Sequence, residues 1–122
     1  MLGEAVEHGD FTEDSGVVAT RALMERHPDL DGLVVASDLM AVGALKVLAE
    51  LGRRVPDDIA VTGYDDLGVA ERTTPMLTTV RQPVEEMAER ATRMLLERVD
   101  GLGGQHAVRL IIPPTLVQRD SA

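Results

Sequence analysis

Two short apolar runs, GLVVA at residues 32–36 and IAVTG at residues 59–63, flank a single helical pattern. No other feature of the chain constrains its fold as tightly. Ser37 or Asp38 can cap the intervening helix, and its apolar positions Met40, Ala44, Val47, Leu48 and Leu51 recur with the 3.6-residue helical period. Gly52 then closes it, as glycine does just past a helix C-terminus. Strand, helix and strand with short joins make a βαβ unit, whose two strands must be parallel. The predicted fold class is therefore α/β with a parallel sheet. Continuous apolar runs further predict strands covered on both faces.

The flanking segments extend this frame. Residues 12–26 read as a helix capped by Thr12 or Asp14, with Gly16, Ala19, Ala22 and Leu23 along one face. It ends at His27-Pro28, since proline disfavours helix at the residue before it. An extended run at 77–82 stops at Pro83, in the first turn of a helix over Val84–Val99. Its apolar stripe is Val84, Met87, Ala88, Ala91 and Leu95, and Glu86–Arg90 and Glu89–Arg93 are favourable i,i+4 pairs. A turn at 101–104, an apolar run at 108–112 and a last strand at 115–118 complete the reading.

Composition narrows the function. With 44% hydrophobic but only 2% aromatic residues, the core is expected to be aliphatic, leaving Phe11 and Tyr64 as the only rings. A net charge of −9 argues against phosphate binding by these residues, because Arg53-Arg54 and the Arg90/Arg93 pair sit among acids. The lack of cysteine excludes disulfides and thiolate chemistry and fits a reducing compartment. No leader and no long apolar run is present, so the expected location is the cytoplasm.

Catalysis finds no constellation. His8, His27 and His106 are far apart without ligand partners at helical spacing, and no nucleophile elbow or phosphate loop occurs. Neither an enzyme nor a cofactor or metal is expected. Three residues instead fall near the carboxyl ends of strands: Phe11, Ser37 and Asp65. In a parallel sheet those ends share one rim, and a ring, a hydroxyl and a carboxylate together suit a sugar or nucleoside. The alternative is that Ser37 and Asp38 only cap a helix and that Asp65 and Asp66 only shape a turn. For Tyr64 packing against the sheet edge is the expectation, and Asp65 and Asp66 are expected to point apart from an extended segment.

The wording of the sequence adds a resemblance. HPDLDGLVVASDLMAVGALKVLAELGRRVPDDIAVTGYDD, then TTPMLTTVRQPVEEMAERATRMLLERVDG, resemble the lactose-repressor (LacI/GalR) family of bacterial transcription regulators. The opening GDFTEDSG and the tail LIIPPTLVQRDS are similar to the same family, so the likeness spans about residues 9–121. It implies a parallel-sheet sandwich, a partial type I periplasmic-binding-protein-like fold representing the C-terminal lobe. Residues 1–82 would be part of that lobe, 83–106 a crossover helix belonging to the N-terminal lobe, and 107–122 strands returning to the C-terminal lobe.

By position, the resemblance implies that Phe11, Ser37, Asp65 and Gln82 face a small effector, usually a sugar. Serine at position 37 replaces the asparagine usual there, which shortens its reach. Val42, Leu45, Arg72 and Thr73 fall on stretches that form the family's homodimer interface. Operator DNA would be held by a helix-turn-helix head outside this sequence, so the chain is expected to be truncated and its effector affinity weak or absent. The helix Val84–Val99, deprived of its lobe, is expected to cover its stripe on its own sheet or on a second copy. A sugar-binding protein of a transport system is the alternative. TTVRQPVEEMAERA and the missing export signal favour the regulator.

Overall fold

The computed structural model describes residues 5–102 and 108–122. In chain order the elements are α1 (Glu13–Arg26), β1 (Gly32–Val34), α2 (Asp38–Glu50), β2 (Ala60–Thr62), β3 (Thr79–Arg81), α3 (Val84–Val99) and β4 (Thr115–Val117), with a 3-10 turn at Ala70–Arg72. They fall into two compact units, Met1–Arg81 with Leu116–Ala122, and Gln82–Thr115.

In the first unit β1 and β2 are parallel, with Leu33 opposite Val61, as a βαβ unit requires. Parallel bridges Thr62–Thr78 and Asp65–Arg81 continue from β2 to β3, and β4 lies beside β3. Both strands are shorter than their apolar runs, although the Val35 N–H still reaches the Thr62 carbonyl at 2.9 Å. The expectation of cover on both faces fails. β1 buries only Leu33 and leaves Val34 93% exposed. Helices α1 and α2 pack over the Leu33–Val61 face, so residues of opposite parity in the strand point away from that layer.

α1 and α2 each begin where a side-chain oxygen satisfies a free N–H of the first turn, whereas α3 follows Pro83 without a side-chain cap. The Thr12 hydroxyl accepts from the Ser15 N–H at 3.1 Å, and the Ser37 hydroxyl accepts from the Met40 N–H at 3.3 Å. α2 ends at Glu50 and is capped by Leu51, followed by Gly52 at φ 71°, a left-handed position suited to glycine. Where α1 crosses α2, a Cβ on Gly16 would overlap the Met40 backbone, and one on Gly43 would overlap the Glu13 carbonyl. These two glycines let the helix backbones touch. Beneath them Val47, Leu48, Ile59, Val61 and Leu77 are fully buried, while Phe11 and Tyr64 are exposed, so the core is aliphatic. Each such side chain contributes about 1.5–3 kcal/mol on burial.

The chain end is fastened between β2 and β3. The buried Ser121 hydroxyl donates to the Val61 carbonyl at 2.6 Å and accepts from the Thr78 N–H at 2.8 Å. Its carbonyl accepts from the Val61 N–H at 2.8 Å.

The second unit is built on α3, with the bounds its sequence pattern predicts. Its ion pairs Arg90–Glu86 (3.1 Å) and Arg93–Glu89 (2.6 Å) are solvent-exposed and worth only about 0.3–0.5 kcal/mol each. No residue of α3 is buried, and its stripe residues Val84, Met87, Ala88, Ala91 and Leu95 are all exposed. Met87, Ala91 and Met94 line a groove of about 400 Å³ with Val108, Leu110 and Ile112, a run that forms no strand. Part of the expected turn at 101–104 and His106 lie outside the described residues.

Candidate functional site

At the carboxyl end of β2 the chain turns sharply through Tyr64, Asp65 and Asp66. Asp65 and Asp66 have φ of 124° and 58°, so the pair is not the extended segment expected from the sequence. Such angles cost up to about 1–3 kcal/mol each and persist only where surrounding bonds impose them, although Asp tolerates them better than most residues. Here the bonds are visible. The Asp65 N–H donates to the Val80 carbonyl at 2.9 Å, and the Asp66 N–H donates to Asp38 Oδ2 at 2.8 Å.

Asp38 is the first residue of α2 and is 1% exposed. Its second oxygen accepts the Thr79 hydroxyl at 2.5 Å, and its own N–H donates to the Tyr64 carbonyl at 2.8 Å. Burial pushes the Asp38 carboxyl above the usual carboxylate range, against the opposing pull of those hydrogen bonds. Gly63 packs so closely on this carboxylate that a side chain there would displace it.

Asp66 behaves oppositely. Its side chain is 2% exposed and lies between two guanidinium groups, Arg119 at 2.8 Å and Arg81 at 2.7 Å. Burial pushes its carboxyl upward, but the hydrogen bonds and charges of Arg119 and Arg81 outweigh that and hold it below the usual range. Arg119 also donates to the Leu77 carbonyl at 2.9 Å and reaches Glu71 at 3.2 Å.

The expected ligand residues are distributed as follows. Phe11, at φ 69° and 64% exposed, projects from the loop before α1. Asp10 braces that loop by accepting the Thr12 hydroxyl at 2.5 Å, which lowers its carboxyl pKa. With Ala36, His8, Val34, Leu33 and other residues, Phe11 lines a cavity of about 270 Å³ beside the carboxyl end of β1. Ser37 follows Ala36 but is buried, and its oxygen serves as the α2 cap. The Tyr64 carbonyl bonded to Asp38 ties the Asp65 loop to the same rim. Phe11, Ser37 and Asp65 thus border one end of the sheet, whereas Gln82 belongs to the second unit.

The four expected interface residues do come together. Val42, Leu45, Arg72 and Thr73 line one groove of about 330 Å³ with Lys46, Ala49, Val69 and Thr74. Sequence reasoning missed Asp66 as an anchor, along with Asp38, Thr79, Arg81 and Arg119. A sequence signal existed only for the Asp38–Thr79 contact, in the hydroxyl pair Thr78-Thr79 of the extended run 77–82, because buried hydroxyls need partners. Among the described residues no cluster of His, Cys, Asp or Glu could hold a metal ion, and no helix is long and apolar enough to cross a membrane.

Comparison with known proteins places the chain as a whole in a family. The profile of the periplasmic binding protein-like domain matches residues 3–122. The HTH-type transcriptional regulator CelR of Thermobifida fusca is 49% identical over 116 residues, which cover 95% of this chain and 34% of that protein. The ribose operon repressor of Halalkalibacterium halodurans is 36% identical over 98% of this chain and 36% of its own length. Among solved structures, a CelR–cellobiose complex superposes with a TM-score of 0.96 at 47% identity, covering 100% of this chain and 37% of that one. A LacI family regulator from Arthrobacter sp. FB24 in complex with lactose gives a TM-score of 0.83 at 34% identity, covering 93% and 43%. The chain therefore spans about a third of the length of the curated relatives it matches.

Proposed function

The chain belongs to the periplasmic binding protein-like domain family, in the form found in LacI-type regulators, and from that premise we propose that it is the sugar-sensing and self-associating part of such a regulator. The observation that carries this reading is the rim itself. An exposed ring at Phe11 lines a cavity of about 270 Å³ at one end of a parallel sheet, and an imposed left-handed turn at Asp65 follows the neighbouring strand at that same end. A ring stacks on the apolar face of a pyranose, and a carboxylate accepts hydrogen bonds from its hydroxyls. Ser37 contributes as the α2 cap that shapes the rim, and Gln82 is assigned to the ligand only by its position in the sequence.

Cellobiose is the probe of choice, because the CelR structure that resembles this chain is a cellobiose complex. Phe11 is largely open to water, so binding is weak, with a Kd in the millimolar range, about −4 kcal/mol. The test is a cellobiose titration of the isotope-labelled chain followed by amide NMR shifts. The expected shifts fall on Phe11, Ala36, Ser37 and Tyr64–Asp66. Shifts confined to other residues, or none at all, would refute the site.

The second part of the proposal concerns the groove of Val42, Leu45, Arg72 and Thr73, which receives the same groove of a second copy. DNA binding is not assigned to these residues, since a net charge of −9 opposes phosphate contact. The chain acts without catalysis, and as part of a DNA-directed regulator it works in the cytoplasm.

A further inference from the structure

The acids of the Asp65–Asp66 pair differ in how they are held. Both carboxylate oxygens of Asp66 are engaged, Oδ1 accepting from Arg119 at 2.8 Å and Oδ2 from Arg81 at 2.7 Å, with the side chain 2% exposed. Its backbone is fixed from the opposite side by Asp38 Oδ2 at 2.8 Å, and Asp38 is itself held by the Thr79 hydroxyl. These contacts come from α2, β3 and the chain end, three places far apart in sequence. Together they impose two successive positive φ angles, 124° and 58°. The angle at Asp65 sets where its Cα–Cβ bond points, so relaxation of the turn would swing that side chain off the rim.

We propose that Asp66 is a positioning residue: clamped by Arg81 and Arg119, it holds the turn that aims Asp65 at the ligand and makes no ligand contact itself. The inference rests on the sugar-site reading above. It assigns Arg119 a part in ligand affinity although its guanidinium is spent on Asp66, Leu77 and Glu71.

The test combines binding with local stability. In the cellobiose titration, Asp66→Ala weakens binding about tenfold, as does Asp65→Ala, and the double variant is no weaker than Asp65→Ala alone within about twofold. A residue that merely supports the fold would lower affinity in both backgrounds alike. Amide hydrogen exchange supplies the second readout. In Asp66→Ala the protection of the Asp65 and Asp66 N–H groups falls at least about tenfold, while that of Val61, bonded to Ser121, is unchanged. If Asp66→Ala fails to fold, Asp66→Asn keeps the shape and one acceptor, and its expected losses are about threefold in both readouts. Losses that multiply in the double variant, or unchanged protection of the two amides, overturn the proposal. Should cellobiose produce no shifts in the unmodified chain, the sugar reading alone falls, and the exchange measurement still decides the clamp.

Discussion

Arg119 shows how much one side chain can carry in a small domain. Its guanidinium is nearly buried and serves Asp66, the Leu77 carbonyl and Glu71, joining the rim turn to the 3-10 turn and to the start of the extended run before β3. Removing Arg119 leaves Asp66 paired with Arg81 alone and takes the donor from its Oδ1, so Arg119→Met is expected to cost about 1–3 kcal/mol in denaturant unfolding. The two acids titrate with opposite consequences. Asp66 has its folded pKa below the ordinary value of 3.8, so the stability it contributes is present above that value and lost as pH falls through the folded one. Asp38 has its folded pKa above 3.8, so the cost of its buried charge is relieved as pH falls toward acid. Asp66→Asn should therefore lower the melting temperature most at neutral pH and flatten its decline at acid pH. An unchanged acid limb would show that Asp66 is not ion-paired in solution. None of this was legible in the sequence. Asp66 and Arg119 are 53 positions apart, and no local pattern links a turn acid to an arginine near the chain end.

At the scale of elements, legibility follows the range of the forces involved. The boundaries of α3 and the caps of α1 and α2 depend on neighbours within one turn, and these were readable from Thr12, Ser37 and Pro83. The parallel pairing of β1 with β2 followed from the connection between them. Cover of the strands did not, because Val34 and Leu33 are equally apolar and only the placement of the helices decides which is buried. The crossing of α1 and α2 hides a similar long-range fact in Gly43, whose missing Cβ admits the Glu13 carbonyl. Gly43→Ala normally strengthens a helix, yet here the overlap is expected to cost about 1–3 kcal/mol, seen as a lower melting temperature. A stabilised variant would mean that the helices cross further apart.

For the whole molecule, the rim bordered by Phe11, Ser37 and Asp65 and the groove of Val42, Leu45, Arg72 and Thr73 share α2, whose first turn reaches the rim and whose later turns line the groove. Val42→Glu places charge in the groove and is expected to shift sedimentation toward the monomer without affecting the rim. An unchanged sedimentation profile would remove the groove from the account. The most direct test of the central claim is calorimetric titration with cellobiose of the unmodified chain, Asp65→Asn and Val42→Glu. The account predicts millimolar binding, weakened about tenfold by Asp65→Asn and left within about twofold by Val42→Glu. Binding that survives Asp65→Asn unchanged, or that is absent up to about 50 mM in the unmodified chain, would contradict it.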